Sequence, residues 1–138
     1  MAEPRPYYAS NGIEIWHADF RDVLPRYVDS SFGMVLTDPP YGYNYEGMHV
    51  KAALSNDTPA DIIMIEQSMG EAKRLLVPGG FAAYFCSGSK PAVIASWILG
   101  MNEHLAMDAM LIWEKNGIGL GSRYRYCYET ILVGRKVG

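Results

Sequence analysis

Cysteine is scarce in this chain: 138 residues contain two, Cys86 and Cys127, far apart and set among apolar or aromatic neighbours. That excludes a disulfide framework and a cysteine metal cluster, and it suits reduced core thiols. The three histidines, His17, His49 and His104, have no metal-ligand company either. No apolar run reaches the roughly 18 residues of a membrane-spanning helix, and the start Met1–Pro6 has no apolar signal core. A cytoplasmic protein that stays off membranes is the expectation. Excess positive charge is missing too. The net charge is −3, so no global field draws a polyanion. A Gly-x-Ser-x-Gly elbow and paired acid–base carboxylates are absent, which leaves hydrolase chemistry without support. Gly117-Ile118-Gly119-Leu120-Gly121 lacks the Gly-Lys-Ser/Thr ending of a phosphate loop, and no strong helix follows it.

What is present is a core. Apolar residues make up 49% of the chain, and mean hydropathy is −0.04. Residues 1–138 are expected to form one domain of ordinary size. Residues 1–12 read as a loose lead-in with Pro4, Pro6 and Asn11-Gly12 as breakers. Ile13–His17 is a short strand, and Phe20–Tyr27 a brief helical turn. Phe32–Thr37 is a strand, and the polar, Gly- and Tyr-rich stretch 42–57 a long loop. Thr58-Pro59 opens a helix, along which Ile62, Ile65, Met69, Ala72 and Leu76 form one apolar face. Pro78-Gly79-Gly80 ends it, and Phe81–Cys86 is a buried strand. A second helix runs from Ser89 and Pro91 to near Gly100. Ala109–Trp113 and Tyr126–Val133 are the last strands. Strand–helix–strand alternation predicts an α/β fold, a Rossmann-like doubly wound sheet, mostly parallel and covered on both faces. Its C-terminal strand follows Trp113 too soon for a helical crossover and should return antiparallel.

The strand Phe32–Thr37 ends in Asp38-Pro39-Pro40-Tyr41. Ligands of open α/β sheets bind outside the carboxyl ends of strands. Each proline fixes its own φ and biases the residue before it away from helix. A carboxylate, a fixed carbonyl and a flat ring suit a planar ligand bearing an amine. The alternative is a proline-rich turn with an aspartate cap. By topology Asp38, Ser87 and Glu114-Lys115 share one sheet edge. Lys115, Arg123, Arg125, Arg135 and Lys136 crowd the last quarter, where a basic face and an ordinary solvated face fit the pattern equally.

Asp38-Pro39-Pro40-Tyr41 resembles the signature of the DNA amino-methyltransferases, which methylate adenine N6 or cytosine N4 with S-adenosylmethionine. Other blocks match in the family's order. They are Ile15–Asp19, Glu71–Gly80 (a helix end and Gly-Gly turn), Leu111–Lys115 and Tyr128–Leu132. Together they cover most of residues 13–136. The resemblance implies that Asp38 and the Pro39 carbonyl accept the amine hydrogens of a flipped-out DNA base. Pro40 holds the geometry and Tyr41 stacks on the base. It places Asp19 near the cofactor's adenine and Ser87 at the border of the same pocket; for Asp19 a helix cap is an equal alternative. Lys115, Arg123 and Arg125 would lie along the DNA backbone. Aspartate in the first signature position favours adenine N6.

Two family features are absent. The chain has no Phe-x-Gly-x-Gly turn for the methionine part of the cofactor and no acidic ribose-binding residue after it. Three readings follow. A split or minimal methyltransferase would complete its site through a second protein chain or a homodimer. A non-catalytic remnant would bind nucleic acid without turnover. An enzyme acting on RNA or protein would carry asparagine at position 38, and Asp38 speaks against it.

Overall fold

The computed structural model describes residues 5–42, 62–117 and 124–138. The chain opens on a hairpin, β1 (Tyr8–Ser10) and β2 (Ile13–Ile15), which forms a two-stranded sheet of its own. Asn11 at φ 51° and Gly12 at φ 77° make its tight turn. Such turns need left-handed backbone, which an Asn-Gly pair adopts readily. The expected lead-in is therefore half structured. Asn11-Gly12 joins two pairing segments rather than separating a loop from a strand. A short helix α1 (Phe20–Val23) and a 3-10 turn (Leu24–Arg26) follow, in agreement with the brief helical turn read from the sequence.

The main sheet has four strands in the order β3 (Phe32–Thr37), β4 (Leu76–Cys86), β6 (Tyr128–Arg135), β5 (Ala106–Glu114). β3 pairs parallel with β4, and β6 pairs antiparallel with both β4 and β5. Three strands thus run one way and β6 runs against them. This is the mixed α/β sheet that the alternation predicts, with β6 inserted between β4 and β5. The two long helices are α2 (Ile62–Leu75) and α3 (Pro91–His104). The expected start of α2 at Thr58-Pro59 and most of the long 42–57 loop lie outside the described residues.

Both helices pack on one face of the sheet. Ile65, Met69 and Ala72 from α2 meet Trp97 and Met101 from α3 over Ala82, Tyr84, Cys86 and Leu132 of the strands. Period-2 alternation explains which strand residues take part: Tyr84 and Leu132 are register partners and point to the same side. Gly134 lets α3 approach β6, since a Cβ there would stand 2.6 Å from the Met101 sulfur. Leu132 is completely buried. We expect Leu132→Ala to cost about 2–5 kcal/mol of stability, measured by urea unfolding; a loss below about 1 kcal/mol would contradict this packing.

Element limits differ from the sequence reading where glycine and proline misled it. β4 begins at Leu76, with no loop after α2, and Gly79 at φ 79° sits inside it as part of an irregularity opposite Phe32–Met34. α3 passes Gly100 and runs to His104. The carboxyl end of α2 is capped by Lys136, whose ammonium donates to the carbonyls of Leu76 (2.7 Å) and Arg74 (3.4 Å). Arg74 in turn donates to the carbonyls of Leu24 (2.9 Å) and Tyr27 (2.8 Å), and so fixes the α1 segment against α2. That contact positions Asp19.

Candidate active site at the carboxyl end of the sheet

β3, β4 and β5 deliver their carboxyl ends to one edge, so Asp38, Ser87 and Glu114-Lys115 converge as the topology predicts. Asp38 follows the last β3 residue and is exposed. One of its oxygens, Oδ1, accepts a 2.7 Å hydrogen bond from the Tyr41 hydroxyl. Tyr41 is partly buried, and its ring meets that of Trp97 at 5.9 Å and 73°. Burial first, and then the hydrogen bond to Asp38, push the Tyr41 phenol well above its ordinary range. The phenol therefore stays protonated and acts as donor to Asp38 Oδ1. The sequence reading treats Tyr41 as a stacking ring alone. Its grip on Asp38 and its brace against Trp97 escape that reading, because Trp97 lies 56 positions away on α3 and its helical spacing marks only a core residue.

Pro39 and Pro40 line a cavity of about 420 Å³ between β3, α1 and α2. Asp19 and Phe20 stand on its α1 side, Val35 and Thr37 on β3, and Met64, Ile65 and Ser68 on α2. The cavity brings Asp19 to the prolines across 20 residues of chain. Asp19 is also the N-cap of α1: its carboxylate accepts from the Arg21 backbone amide (2.9 Å) and from the Arg21 guanidinium (2.9 and 2.6 Å). The helix-cap reading of this residue thus has its structural counterpart. The Arg21 hydrogen bonds hold the Asp19 carboxyl down at about 2. Its folded-state value lies below the unfolded value of about 3.9, so the cap is intact above that value and is lost as pH falls through about 2. A carboxyl-carbon NMR titration should find the Asp19 midpoint near 2; a midpoint near an ordinary value of about 4 would contradict the arrangement.

Ser87 does not line this cavity. It is buried, its Oγ accepts from the Ser89 amide at 3.1 Å, and its carbonyl accepts from the Thr130 hydroxyl at 3.1 Å. These bonds build the turn after β4. Gly88 within that turn is tightly enclosed, since a Cβ there would lie 2.3 Å from the Tyr128 carbonyl oxygen.

The basic residues do not gather into one free face among the described residues. Lys115 is ion-paired with Glu129 and sits 5.3 Å over the Trp113 ring. Arg135 pairs with Asp108 at 2.6 Å, and Lys136 caps α2. Arg125 is exposed, and Arg123 lies outside the described residues. Trp113 itself is 48% exposed on the side of the sheet away from the helices.

No family model matches this chain, and no curated protein matches it. Solved structures do. A protein from Thermus thermophilus, assigned as a DNA modification methylase, is 25% identical with a TM-score of 0.65, over 88% of this chain and 52% of its own. The PvuII cytosine-N4-specific DNA methyltransferase is 14% identical with a TM-score of 0.72, over 97% of this chain and 52% of its own. M1.HpyAVI, solved with S-adenosylmethionine, is 16% identical with a TM-score of 0.56, over 86% of this chain and 50% of its own. This chain spans about half the length of the structures it matches. Over that half it has the fold of the DNA methyltransferases.

Proposed function

We propose that this chain is the base-binding and adenosyl-binding part of an S-adenosylmethionine-dependent DNA amino-methyltransferase acting on adenine N6. The observation that carries the reading is the placement of Asp38-Pro39-Pro40 at the end of β3, against a cavity that Asp19 also lines. An amine attached to an aromatic ring is a poor nucleophile because its lone pair is delocalised. Two acceptors on its hydrogens favour a tetrahedral nitrogen and release that lone pair. Asp38 Oδ2 and the Pro39 carbonyl are those acceptors, preorganised where positive charge develops on the nitrogen. Tyr41 keeps the Asp38 carboxylate turned and offers a ring to a base that has left the duplex. The reaction is a direct displacement with no covalent enzyme intermediate.

The cavity fits the adenosyl part of the cofactor. Phe20, Leu24, Met64 and Ile65 form apolar walls for a flat ring, and Asp19 is a carboxylate able to accept from an exocyclic amine. The size is that of a small-molecule site. When bound, S-adenosylmethionine supplies the electrophilic methyl group. None of the described lining residues is basic.

The test is transfer of labelled methyl groups to duplex DNA. The chain is assayed alone and co-expressed with the portion of the Thermus thermophilus protein outside the match. Label recovered as N6-methyladenine in either reaction supports the proposal. Label on cytosine N4 moves the assignment to the other base, and no label in either reaction leaves the non-catalytic nucleic-acid-binding reading in its place.

A further inference from the structure

Away from the carboxyl edge of the sheet, the seam between α2 and α3 gathers three side chains with metal-ligating atoms. Glu66 comes from α2, and Glu103 and His104 from the last turn of α3. One ligand atom from each lies within 4.8 Å of the other two. The His104 ring rests against α2 at Gly70, where a Cβ would stand 3.6 Å from its Cε1. Glu66 lies one helical turn before Gly70 and so shares that face of α2. Sequence spacing hides the group, because Glu66 and His104 are 38 positions apart.

Hydrogen bonding and charge leave the group unsatisfied. Nε2 of His104 is shut off from solvent and has no hydrogen-bond partner, a costly state for a polar atom. Neither glutamate is paired with a cation among the described residues, and the carboxyl end of α3 adds negative potential beside them. Glu66 also lines, with Ser96, Trp97 and Gly100, a cavity of about 50 Å³ between the helices. Trp97 is 2% exposed there, and its Nε1–H has no partner either. A carboxylate that binds a metal through one oxygen is ordinarily hydrogen-bonded through the other. The Trp97 N–H is an unused donor beside Glu66.

We propose that Glu66, Glu103 and His104 hold one divalent transition-metal ion, with zinc as the representative, and that the ion clamps α2 to α3. The donor set selects the metal. One imidazole nitrogen with two carboxylate oxygens suits zinc and its first-row neighbours, whereas magnesium and calcium take oxygen ligands. Zinc holds such atoms at about 2.0–2.2 Å, so the three must draw together by about 1 Å. Both glutamates are exposed and can turn inward, while the half-buried imidazole stays against α2. Three protein ligands leave a fourth position to water. The clamped helices include the one that carries Trp97, the brace of Tyr41. The site is read without reference to the proposed reaction.

Zinc chloride is titrated calorimetrically into the 138-residue chain, stripped of metal and produced without a histidine tag. Saturable 1:1 binding is expected, weakened roughly 100-fold by His104→Ala and by Glu66→Gln, and unaltered by His17→Ala. Zinc should raise the melting temperature of the parent but not that of Glu66→Gln. Glu66→Gln and Glu103→Gln, both at exposed positions, carry the test should His104→Ala fail to fold. No saturation at millimolar zinc overturns the site and leaves an ordinary solvated helix face. Binding indifferent to both glutamate variants overturns it as well, by moving the ion elsewhere on the chain. So does magnesium binding as tightly as zinc and unaffected by His104→Ala, which reduces the group to two exposed carboxylates.

Discussion

Asp38→Ala is expected to lower methyl transfer by about 10²–10³-fold while leaving the fold in place. That magnitude is the usual cost of deleting one preorganised group aimed at developing charge. The loss should appear in kcat, because the acceptor on the amine gains strength only as the nitrogen becomes tetrahedral. Stability should hardly change. Asp38 is exposed at a strand end, and its described side-chain partner is the Tyr41 hydroxyl. A melting temperature within about 3 °C of the parent is the expected accompaniment. Retained transfer in the variant would refute the assigned role. A collapse in stability would instead make Asp38 a structural cap, the plainer reading of an aspartate before two prolines.

The second large effect falls on a residue with no side chain. Gly88→Ala places a Cβ 2.3 Å from the Tyr128 carbonyl oxygen and 3.0 Å from its ring. The obstacle is backbone at the start of β6, which cannot rotate aside as a side-chain tip would. Either the Ser87–Ser89 turn or the Tyr128 end of the strand must move. Overpacking of this kind costs about 1–3 kcal/mol, and backbone as the obstacle puts the expectation near the upper end. Chemical denaturation measures the loss. The displacement should also disturb the Thr130 hydroxyl bond to the Ser87 carbonyl, 3.1 Å in the parent. An alanine variant as stable as the parent would show that the turn and β6 are less closely packed than described.

Much of this fold is legible in the sequence because its determinants are local. The helical spacing of Ile65, Met69 and Ala72 names the buried face of α2, and all three are core residues. The short gap between Trp113 and Tyr128 announces an antiparallel return, and β6 provides it. Asp38 at a strand end is equally local. What the sequence hides is long-range. Nothing near Lys136 says that it caps a helix ending 61 positions earlier, and its place in a basic run suggests a solvated face. Nothing near Tyr41 points to Trp97. Asn11-Gly12 reads as a breaker in the sequence and is a hairpin turn in the fold, since only the pairing of Tyr8–Ser10 with Ile13–Ile15 separates the two meanings. Coverage of the sheet is the largest difference. A βαβ pattern predicts two covered faces, but both described crossover helices fall on one side, because β3, β4 and β5 succeed one another in a single direction across the sheet.

Calorimetric titration of the 138-residue chain with S-adenosylmethionine and, in parallel, with adenosine tests the central claim most directly, namely that the cavity beside Asp38 is the adenosyl pocket. Saturable binding of both ligands, with affinities within a few-fold of each other and reduced alike by Asp19→Ala, is the predicted result. On the proposed reading the cavity holds the adenosyl part that the two ligands share, and none of its described lining residues is basic. Absence of saturation with either ligand at millimolar concentration would contradict the account.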